Sequence, residues 1–435
     1  MRIADLAGKN ICILGYGKEG QATHEAIQKY ASGCAVTIAD RDEKIKDTRY
    51  KEDKRYKIKT GEDYLNDLSQ FDVIIKSPGI PLPPELKAQI TKLTSATQIF
   101  FDSIADSGAM VIGITGSKGK STTTKLIYEI LKAAGKDAHL VGNIGKPAIE
   151  QLDKAKKGTI FVFELSSYQL MDLTVSPHIA VVTSFFPEHL DYHGSLEEYL
   201  EAKKHITRFQ KSEDIVFFQQ NFNGTVEIAK EGEGRKVPFS AEDAPLPLTE
   251  THLIGDHNLS NIAAAYKVAV ELGVPEATIL QAIRAFQPLP HRLQSLGMHH
   301  GIEWIDDAIS TTPESAMAAV NALGDRVKTI IVGGQDRGLD FTEFGEFIAE
   351  SEIENVILFP GSGPRIKEAI QKAGDKKFFD ASSMSEAVAI AKKFTSYQLP
   401  VTSTPIVLLS TASPSYGMFK NFEEKGEMFA AAITQ

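Results

Sequence analysis

The sequence predicts an α/β protein of three domains, each built on a sheet of parallel strands covered by helices. Strand-like and helix-like runs alternate along nearly all of its 435 residues, which is typical of parallel sheets. Two segments, residues 10–27 and 110–131, each have the order strand, glycine-rich turn, helix. That arrangement places backbone amides and a helix N-terminus around phosphate. A chain of this length also exceeds one hydrophobic core, so several domains are expected.

The domain boundaries are predicted where the alternating pattern is interrupted. The segment from Gln98 to Ser107 has no strong pattern and is interpreted as a connection. A second block begins at Met110, and FQPLPHR, with two prolines and no periodicity, separates it from a third block. We predict three α/β domains, at residues 1–97, 98–289 and 290–435.

The composition and the lack of targeting signals predict a soluble cytoplasmic protein and do not exclude small anionic ligands. A net charge of −10 argues against general binding to nucleic acid or anionic membranes. The first ten residues lack the apolar region of a signal peptide, and no apolar run approaches the ~18 residues that span a bilayer. Cys12 and Cys34 lie in apolar strand-like runs, which fits buried thiols in a reducing compartment. We expect a monomer without nucleic-acid partners or membrane insertion.

The first glycine-rich turn matches a dinucleotide-binding pattern. Gly15, Gly17 and Gly20 form GxGxxG between a predicted strand and helix, and Asp40 ends the next strand. Such glycines let the backbone approach phosphate, and such an acid binds a ribose hydroxyl. The same pattern occurs in tight turns that only pack a helix onto a sheet, so on the residues alone both interpretations stay open.

The second glycine-rich turn, TGSKGKST, predicts a phosphate loop. Gly116 and Gly119 permit a tight turn whose amides meet phosphate. Lys120 can reach the β- and γ-phosphates, and the Ser121 hydroxyl can bind Mg²⁺. The usual spacing requires a glycine five residues before Gly119, where this chain has Ile114.

Several motifs together resemble the Mur ligase family, whose members join amino acids to a UDP-sugar in peptidoglycan synthesis. The shortened loop TGSKGKSTTT is followed, in family order, by FELSSYQL, EHLDYHGSLEEYLEAK, GDHNLSN, LPHR and FKNFEEKG. ELSSYQL and FKNFEEKG are most similar to members that add glutamate to UDP-N-acetylmuramoyl-L-alanine. Because the motifs agree in order along almost the whole chain, the resemblance is specific.

The resemblance assigns one glycine-rich turn to each nucleotide. It implies that the first domain is Rossmann-like and holds the UDP end of the substrate, and that the loop of a central P-loop ATPase-like domain holds ATP. The third domain is then a second Rossmann-like domain. The implied UDP-sugar contacts are Gly15, Lys18, Glu19, Asp40, Ser77, Gly79, Asn143, Ser166 and His189. The implied ATP contacts are Gly116, Ser117, Lys118, Gly119, Lys120, Ser121, Thr122, Asn258, Asn261, Arg292 and Asp307.

A lysine lies on the apolar face of a helix predicted after Ser195, where Glu198 completes a capping box. The offsets of an α-helix place Lys203 on one face with Leu196, Tyr199, Leu200 and Ile206. A buried ammonium is costly unless it is paired or neutralised, and the alternative is a long stem that carries the charge to solvent. The resemblance implies that Lys203 is carbamylated.

The resemblance also implies a magnesium site. Glu164 ends an apolar strand, and a carboxylate there faces the crevice at the edge of a parallel sheet. His189 lies in a polar loop, which by itself is poor evidence for a metal ligand. The implied Mg²⁺ ligands are Ser121, Glu164, His189 and carbamylated Lys203. The implied catalytic residues are Lys120, Lys203, His189 and Glu164.

Three loops of the third domain follow strands and should open on one edge of its sheet. They contain Asp307, the run GGQDRGLDF and the run STASPSYGMFKNF. The resemblance places the incoming glutamate at Arg337, Ser415 and Phe422, although the pattern alone favours Phe422 as a core residue. Glutamate-adding members usually carry a lysine where this chain has Ile309, and Arg337 replaces another customary lysine.

The implied activity is ATP-dependent amide formation through an acyl phosphate, with Mg²⁺ and a carbamylated lysine. The substrates are ATP, UDP-N-acetylmuramoyl-L-alanine and glutamate, with the D enantiomer favoured and the L enantiomer as the alternative. Other functions stay open on the residues: an NAD-dependent oxidoreductase, a nucleotide-gated binding module, or a ligase with a folate or polyglutamate acceptor. The oxidoreductase leaves the second loop unexplained, and the binding module leaves Glu164, His189 and Lys203 unexplained.

Overall fold

The computed structural model describes residues 1–45, 56–83, 85–86, 90, 92–395 and 404–434. The α-helices are α1 (Lys18–Tyr30), α2 (Ala96–Ile104), α3 (Lys120–Ala133), α4 (Ser167–Leu170), α5 (Leu190–His193), α6 (Leu196–Arg208), α7 (Asn223–Lys230), α8 (His257–Glu271), α9 (Glu276–Ala285), α10 (Pro313–Leu323), α11 (Thr342–Glu350), α12 (Gly363–Ala373), α13 (Met384–Thr395) and α14 (Phe422–Thr434). The strands are β1 (Asn10–Leu14), β2 (Ala35–Asp40), β3 (Tyr56–Thr60), β4 (Val73–Lys76), β5 (Leu93–Thr94), β6 (Met110–Thr115), β7 (Ala138–Gly142), β8 (Ile160–Glu164), β9 (Ile179–Val182), β10 (Ile215–Gln219), β11 (Arg235–Phe239), β12 (Gln294–His299), β13 (Ile302–Asp306), β14 (Val327–Gly334), β15 (Asn355–Gly361), β16 (Lys377–Asp380) and β17 (Ile406–Leu409).

The strands form three sheets, and the parallel α/β class predicted from the alternating pattern is confirmed. The first sheet has the order β3-β2-β1-β4-β5 and the second the order β11-β10-β9-β6-β8-β7; the strand pairs of both are parallel. The third has the order β12-β13-β17-β14-β15-β16 and is parallel except for β12 with β13. Both glycine-rich turns follow central strands, β1 and β6, at the carboxyl edge where such sheets bind ligands.

The chain divides into two compact units, one of residues 1–251 and 257–286 and one of residues 252–256 and 287–435. The first unit holds the two parallel sheets and the second holds the mixed sheet. The limits predicted for three domains stay a prediction. In the part of the chain that the structure describes, no helix is long and apolar enough to cross a membrane.

Successive residues of β1 pack into different cores, because neighbouring side chains of a strand point to opposite faces of the sheet. Ile11 and Ile13 belong to one apolar cluster, whereas Cys12 and Leu14 belong to another. A sheet buried on both faces in this way is what an uninterrupted apolar strand predicts. Cys12 and Cys34 are both free and buried, as expected.

The interpretation of residues 98–107 as a connection is wrong, because α2 occupies most of that segment. The Ser95 hydroxyl accepts a hydrogen bond from the Gln98 amide at 3.1 Å and caps the helix. Seven of the nine residues of α2 are buried, among them Phe100 and Ile104. A helix buried nearly all round does not show the alternation of apolar and polar faces on which the sequence prediction depends.

The alternating pattern also does not predict β12, the antiparallel partner of β13. His300 and Gly301 connect the two strands with positive φ values of 56° and 76°, and two such residues form a type I′ hairpin turn. None of the six residues of β12 is fully buried. An edge strand of this kind lacks the apolar run by which the other strands are recognised.

Candidate active site

The turn between β6 and α3 has the shape of a phosphate-binding loop. Gly119 has a φ of 85°, and a Cβ at this position would lie 2.4 Å from the amide oxygen of Asn261. Only glycine is accommodated there without a shift of its neighbours. Lys120 begins α3, and its Nζ donates to the carbonyls of Gly116 at 2.8 Å and Ser117 at 2.7 Å. The ammonium therefore lies over the loop, where it can meet an anion held by the loop amides.

The predicted nucleotide residues of α8 lie against the same loop. Asn261 accepts from the Thr123 hydroxyl at 3.2 Å and donates to the amide oxygen of Asn258 at 2.8 Å. Both asparagines are buried, as is Thr122 in the first turn of α3. The contacts place Asn258 and Asn261 beside the start of α3, and their binding of ATP stays a prediction.

Ser117 and Lys118 connect the loop to the segment that follows β9. The Ser117 hydroxyl accepts from the Phe186 amide at 2.8 Å and lies 3.1 Å from the Tyr199 hydroxyl. The Lys118 ammonium pairs with the Glu188 carboxylate at 2.5 Å. These contacts fix the loop and the residues around His189 relative to each other.

The helix α6 buries Lys203, as its position on the apolar face predicts. The Ser195 hydroxyl accepts from the Glu198 amide at 3.1 Å and starts the helix. Lys203 is 1% exposed and Ile206 is fully buried, whereas Leu196, at the start of the same face, is 36% exposed. The alternative of a long stem that carries the charge to solvent is therefore wrong.

The ammonium group of Lys203 lies against the phosphate loop. Its Nζ donates to the Gly116 carbonyl at 2.9 Å and lies 4.6 Å from the centre of the Tyr199 ring. Burial, and then the charge of Lys120, hold the pKa of Lys203 well below its usual value, while Glu188 acts in the opposite direction. Burial thus favours the neutral amine, which is the form that can react as a nucleophile.

A cavity of about 380 Å³ brings together predicted residues from both parallel sheets. Three of the predicted catalytic residues, Lys120, Lys203 and His189, are in its lining. The full lining is Pro78, Gly79, Lys120, Asn143, Ser166, Ser167, Tyr168, His189, Tyr199 and Lys203. A molecule in this cavity would contact the phosphate loop and the loop after β4 at the same time.

The predicted metal ligands offer donors that suit Mg²⁺. Glu164 ends β8 and is 3% exposed, Ser121 lies in the first turn of α3, and His189 precedes α5 with a φ of 56°. Carboxylate and hydroxyl oxygens are preferred ligands of Mg²⁺. Among the described residues, no three of the types His, Cys, Asp and Glu are grouped so that they could hold a metal. The predicted site therefore depends on the hydroxyl of Ser121 and on a carbamate at Lys203.

A second cavity, of about 170 Å³, lies at the start of α1. Its lining is Lys18, Glu19, Ala96, Thr97, Gly142, Asn143, Pro147, Ala148, Ile149, Phe163 and Gln169. Burial raises the pKa of Glu19 to about 7, against the opposing effects of a Thr97 hydrogen bond and the charge of Lys76. Lys18 donates to the Gly145 carbonyl at 3.2 Å. Asn143 borders both cavities, so predicted UDP-sugar residues continue from one to the other.

Asp40 and Ser77 bind the first glycine-rich turn itself. Asp40 accepts from the Tyr16 amide at 2.6 Å, and the Ser77 hydroxyl donates to the Gly15 carbonyl at 3.0 Å. Both side chains therefore hold the shape of the turn, which is a role that the sequence pattern does not separate from nucleotide binding. Each keeps capacity for a further hydrogen bond, and contact with the UDP-sugar stays a prediction.

Gly20→Ala is expected to destabilise the first sheet, because a Cβ at Gly20 would lie 2.0 Å from the carbonyl oxygen of Gly15. Overpacking of this kind costs about 1–3 kcal/mol of unfolding free energy. Gly17→Ala is the matched control, since Gly17 has a φ of −68° and no neighbour within 4 Å of such a Cβ. Urea denaturation should show a lower midpoint for Gly20→Ala alone; equal midpoints for the two variants would contradict the close packing of α1 on β1.

In the second compact unit, the loops after β13, β14 and β17 open on one edge of the sheet, as predicted, because these strands are parallel neighbours. Asp307 follows β13, is 2% exposed and accepts from the Ser410 hydroxyl at 2.8 Å. Burial raises the pKa of Asp307 to about 6, against hydrogen bonds from Ser310 and Ser410. Arg337, after β14, lies 5.7 Å from the centre of the Tyr416 ring.

Ser415 and Phe422 belong to the segment after β17. Ser415 is 4% exposed, and its hydroxyl has no hydrogen-bond partner among the described residues. Phe422 is only partly buried, with its ring 6.1 Å from that of His291, so the expectation of a core residue from pattern alone is wrong. Thr312 is the N-cap of α10, which begins at Pro313.

Several residues at these sites were not predicted. Tyr168 lines the larger cavity with its ring 5.2 Å from that of His189, and Thr97 lines the smaller one. Lys425 is buried in the second unit beside Thr411. No spacing in the sequence marks these residues, because each acquires its role from contacts with distant segments.

The fold and the site together define a nucleotide-using α/β enzyme with a phosphate loop. Residues 114–246 match the model of the Mur ligase middle domain, and residues 291–398 match the model of the Mur ligase glutamate ligase domain. The chain belongs to the Mur ligase family.

Relatives match most or all of the chain. It is 34% identical to the UDP-N-acetylmuramoyl-L-alanine--L-glutamate ligase of Salinispora tropica, over 100% of this chain and 99% of the relative. It is also 35% identical to the UDP-N-acetylmuramoylalanine--D-glutamate ligase of Symbiobacterium thermophilum, over 86% of each. Among solved structures, UDP-N-acetylmuramate-alanine ligase from Thermotoga maritima matches with a TM-score of 0.61 and 18% identity, over 98% of this chain and 99% of that one. That similarity confirms the three-domain fold of the family.

Proposed function

We propose that this protein is an ATP-dependent ligase that joins glutamate to UDP-N-acetylmuramoyl-L-alanine in the synthesis of peptidoglycan precursors. The observation that carries the proposal is the cavity of about 380 Å³, in which Lys120, Lys203 and His189 meet Gly79 and Asn143. ATP and an acceptor held by the first sheet would meet there. The names of both relatives support the same reaction.

The chemistry assigned to the cavity is formation of an acyl phosphate. An oxygen of the alanyl carboxylate attacks the γ-phosphorus of ATP, the bond to the β–γ bridging oxygen breaks, and ADP leaves. Lys120 stabilises negative charge on the transferred group, and the loop amides orient it. The protein also offsets the repulsion between two anionic substrates by holding both beside Lys120 and the loop amides.

The second step is attack of the glutamate amine on the acyl carbon. The amine loses a proton, a carbon–nitrogen bond forms, and inorganic phosphate leaves with the oxygen that came from the carboxylate. Arg337 and Ser415 hold the incoming glutamate, since a guanidinium clamps a carboxylate well and the Ser415 hydroxyl is buried without a protein partner among the described residues.

Mg²⁺ would be held by Ser121, Glu164, His189 and a carbamate at Lys203. When bound, it would neutralise part of the phosphate charge. Carbamylation requires a neutral amine that attacks carbon dioxide and releases a proton. The buried site of Lys203 favours that neutral amine. The product is an anion with two oxygens, which offsets the charge of the neighbouring Lys120.

A further proposal concerns which enantiomer of glutamate the enzyme adds. The motifs ELSSYQL and FKNFEEKG favour D-glutamate, whereas Ile309 and the run ISTTPES resemble a branch that accepts the L form. Relatives with both names match this chain, and the one from Salinispora tropica, named for L-glutamate, covers all of it. Because that relative covers the whole chain, we propose L-glutamate as the substrate and D-glutamate as its competitor.

Steady-state phosphate release tests both proposals. Release should require ATP, UDP-N-acetylmuramoyl-L-alanine and glutamate together, and kcat/KM for L-glutamate should exceed that for D-glutamate by about 10²-fold, which corresponds to about 2.7 kcal/mol. A preference for D-glutamate would overturn only the choice of enantiomer. Equal or better use of D-aspartate or L-alanine would overturn glutamate as the substrate, and release without the UDP-sugar would overturn the ligase.

The remaining expectations are proposals of the same kind. We propose action in the cytoplasm as a monomer, and domain limits at residues 1–97, 98–289 and 290–435. The absence of a membrane-crossing helix among the described residues is compatible with that location.

A further inference from the structure

A buried lysine of the second compact unit is not explained by the reaction steps above. Lys425 lies on α14, is 1% exposed and shares the buried face of that helix with Phe429 and Ile433. A buried ammonium is unfavourable unless it is compensated by partners. Burial lowers the pKa of Lys425 to about 8, and the carboxylates of Asp306 and Asp307 act in the opposite direction.

The Lys425 ammonium is directed at one segment, Thr411–Ser415. Its Nζ donates to the Thr411 hydroxyl at 2.6 Å, and that hydroxyl in turn donates to the Ser413 carbonyl at 2.9 Å. Ala412, between them, has a φ of 50°, a conformation that alanine adopts only when its surroundings impose it. The hydrogen bonds around Thr411 therefore hold a strained turn in place.

The same segment connects the two places assigned to the incoming amino acid. The Gln335 amide donates to the Pro414 carbonyl at 2.9 Å, which fixes the loop that carries Arg337. One residue further along, Ser415 is buried, and its hydroxyl has no partner among the described residues. A buried hydroxyl without a partner is costly, so this group is best explained as a donor or acceptor for a bound ligand.

We propose that Lys425 is a positioning residue for the amino-acid substrate: through Thr411 it holds the turn that presents Ser415 to that substrate. This inference rests on the proposed function, because the ligand of Ser415 is the incoming glutamate. Lys425 itself does not touch the substrate. Its removal should weaken binding of glutamate and leave the first chemical step, which needs no glutamate, intact.

The test measures the two steps separately in Lys425→Met, which keeps a long stem and removes the charge. Ligation is measured against glutamate concentration, and the first step is measured without glutamate by trapping the acyl phosphate with hydroxylamine, which forms a hydroxamate and releases phosphate. We expect KM for glutamate to rise about tenfold or more and hydroxamate formation to change less than about twofold. Lys425→Arg should restore most of the affinity for glutamate because it keeps a buried cation.

Two further variants distinguish a positioning role of Lys425 from a general effect of the substitution. Thr411→Val, nearly the same shape without the hydroxyl, should raise KM for glutamate several-fold even if Lys425→Met fails to fold. Lys420→Met, at an exposed lysine outside Thr411–Ser415, should behave as wild type. An unchanged KM for glutamate in folded Lys425→Met or Thr411→Val, or an equal loss of hydroxamate formation, would overturn the positioning role. Absence of hydroxamate in the wild-type protein would instead overturn the proposed ligase reaction, and this inference with it.

Discussion

Lys120→Ala is expected to lower kcat by about 10²-fold or more, which corresponds to at least about 2.7 kcal/mol of lost transition-state stabilisation. The reason is the position of its ammonium over the phosphate loop, 2.8 Å from the Gly116 carbonyl and 2.7 Å from that of Ser117. In the proposed reaction, charge on the transferred phosphoryl group would grow beside this cation. Phosphate release under saturating substrates measures the effect, and circular dichroism checks that the variant is folded.

Lys125→Ala is the matched control for this prediction. Lys125 lies on the same helix, α3, and pairs with Glu129 at 2.7 Å, with both side chains partly exposed. A pair that water can reach contributes little, so turnover should remain close to wild type. Near-normal turnover in folded Lys120→Ala, or an equal loss in both variants, would remove the central loop from the chemistry.

Lys203→Arg is expected to abolish most activity, with a loss of about 10²-fold or more in kcat. Arginine keeps a positive charge but cannot form a carbamate, and its bulkier head group must enter a site that is 1% exposed. Lys204→Arg is the control, because Lys204 pairs with Glu201 at 2.6 Å on the neighbouring face of α6. Full activity of Lys203→Arg would exclude a catalytic carbamate.

The dependence of activity on bicarbonate distinguishes a carbamate at Lys203 from a lysine with only a structural role. Protein stripped of carbon dioxide at mildly acidic pH should lose activity and regain it when bicarbonate is restored at neutral pH. Labelled bicarbonate should then give a carbon resonance of a carbamate that is present in wild type and absent in Lys203→Arg. Activity that is independent of bicarbonate, together with no such resonance, would leave Lys203 as a buried amine.

The fold class and both glycine-rich turns could be predicted from the sequence because their signals are local. A strand, a turn and a helix that follow each other leave a pattern within about twenty residues, as around Gly20 and Lys120. The burial of Lys203 could also be predicted, because helical periodicity alone places Lys203 on the same face as Ile206. The roles of single residues at the site depended on the resemblance to a family and not on spacing.

The features that the sequence did not predict depend on contacts between distant segments. The helix α2 is buried on nearly all sides, which removes the periodicity that would mark it. Thr97 lines the smaller cavity, and Lys425 contacts Thr411. Both contacts arise only when folding brings distant segments together. Asp40 illustrates the same limit, because its hydrogen bond to the Tyr16 amide shapes the turn, and the pattern cannot distinguish that role from contact with a ribose.

The fate of one oxygen atom tests most directly whether the proposed ligase passes through an acyl phosphate. UDP-N-acetylmuramoyl-L-alanine labelled with heavy oxygen in the alanyl carboxylate is incubated with the enzyme, ATP and L-glutamate. With both carboxylate oxygens labelled, an acyl-phosphate intermediate predicts one heavy oxygen in each molecule of inorganic phosphate released. The amide product should carry one added glutamyl residue and keep the other heavy oxygen. Release of unlabelled phosphate, or label retained entirely in the amide product, would contradict that intermediate.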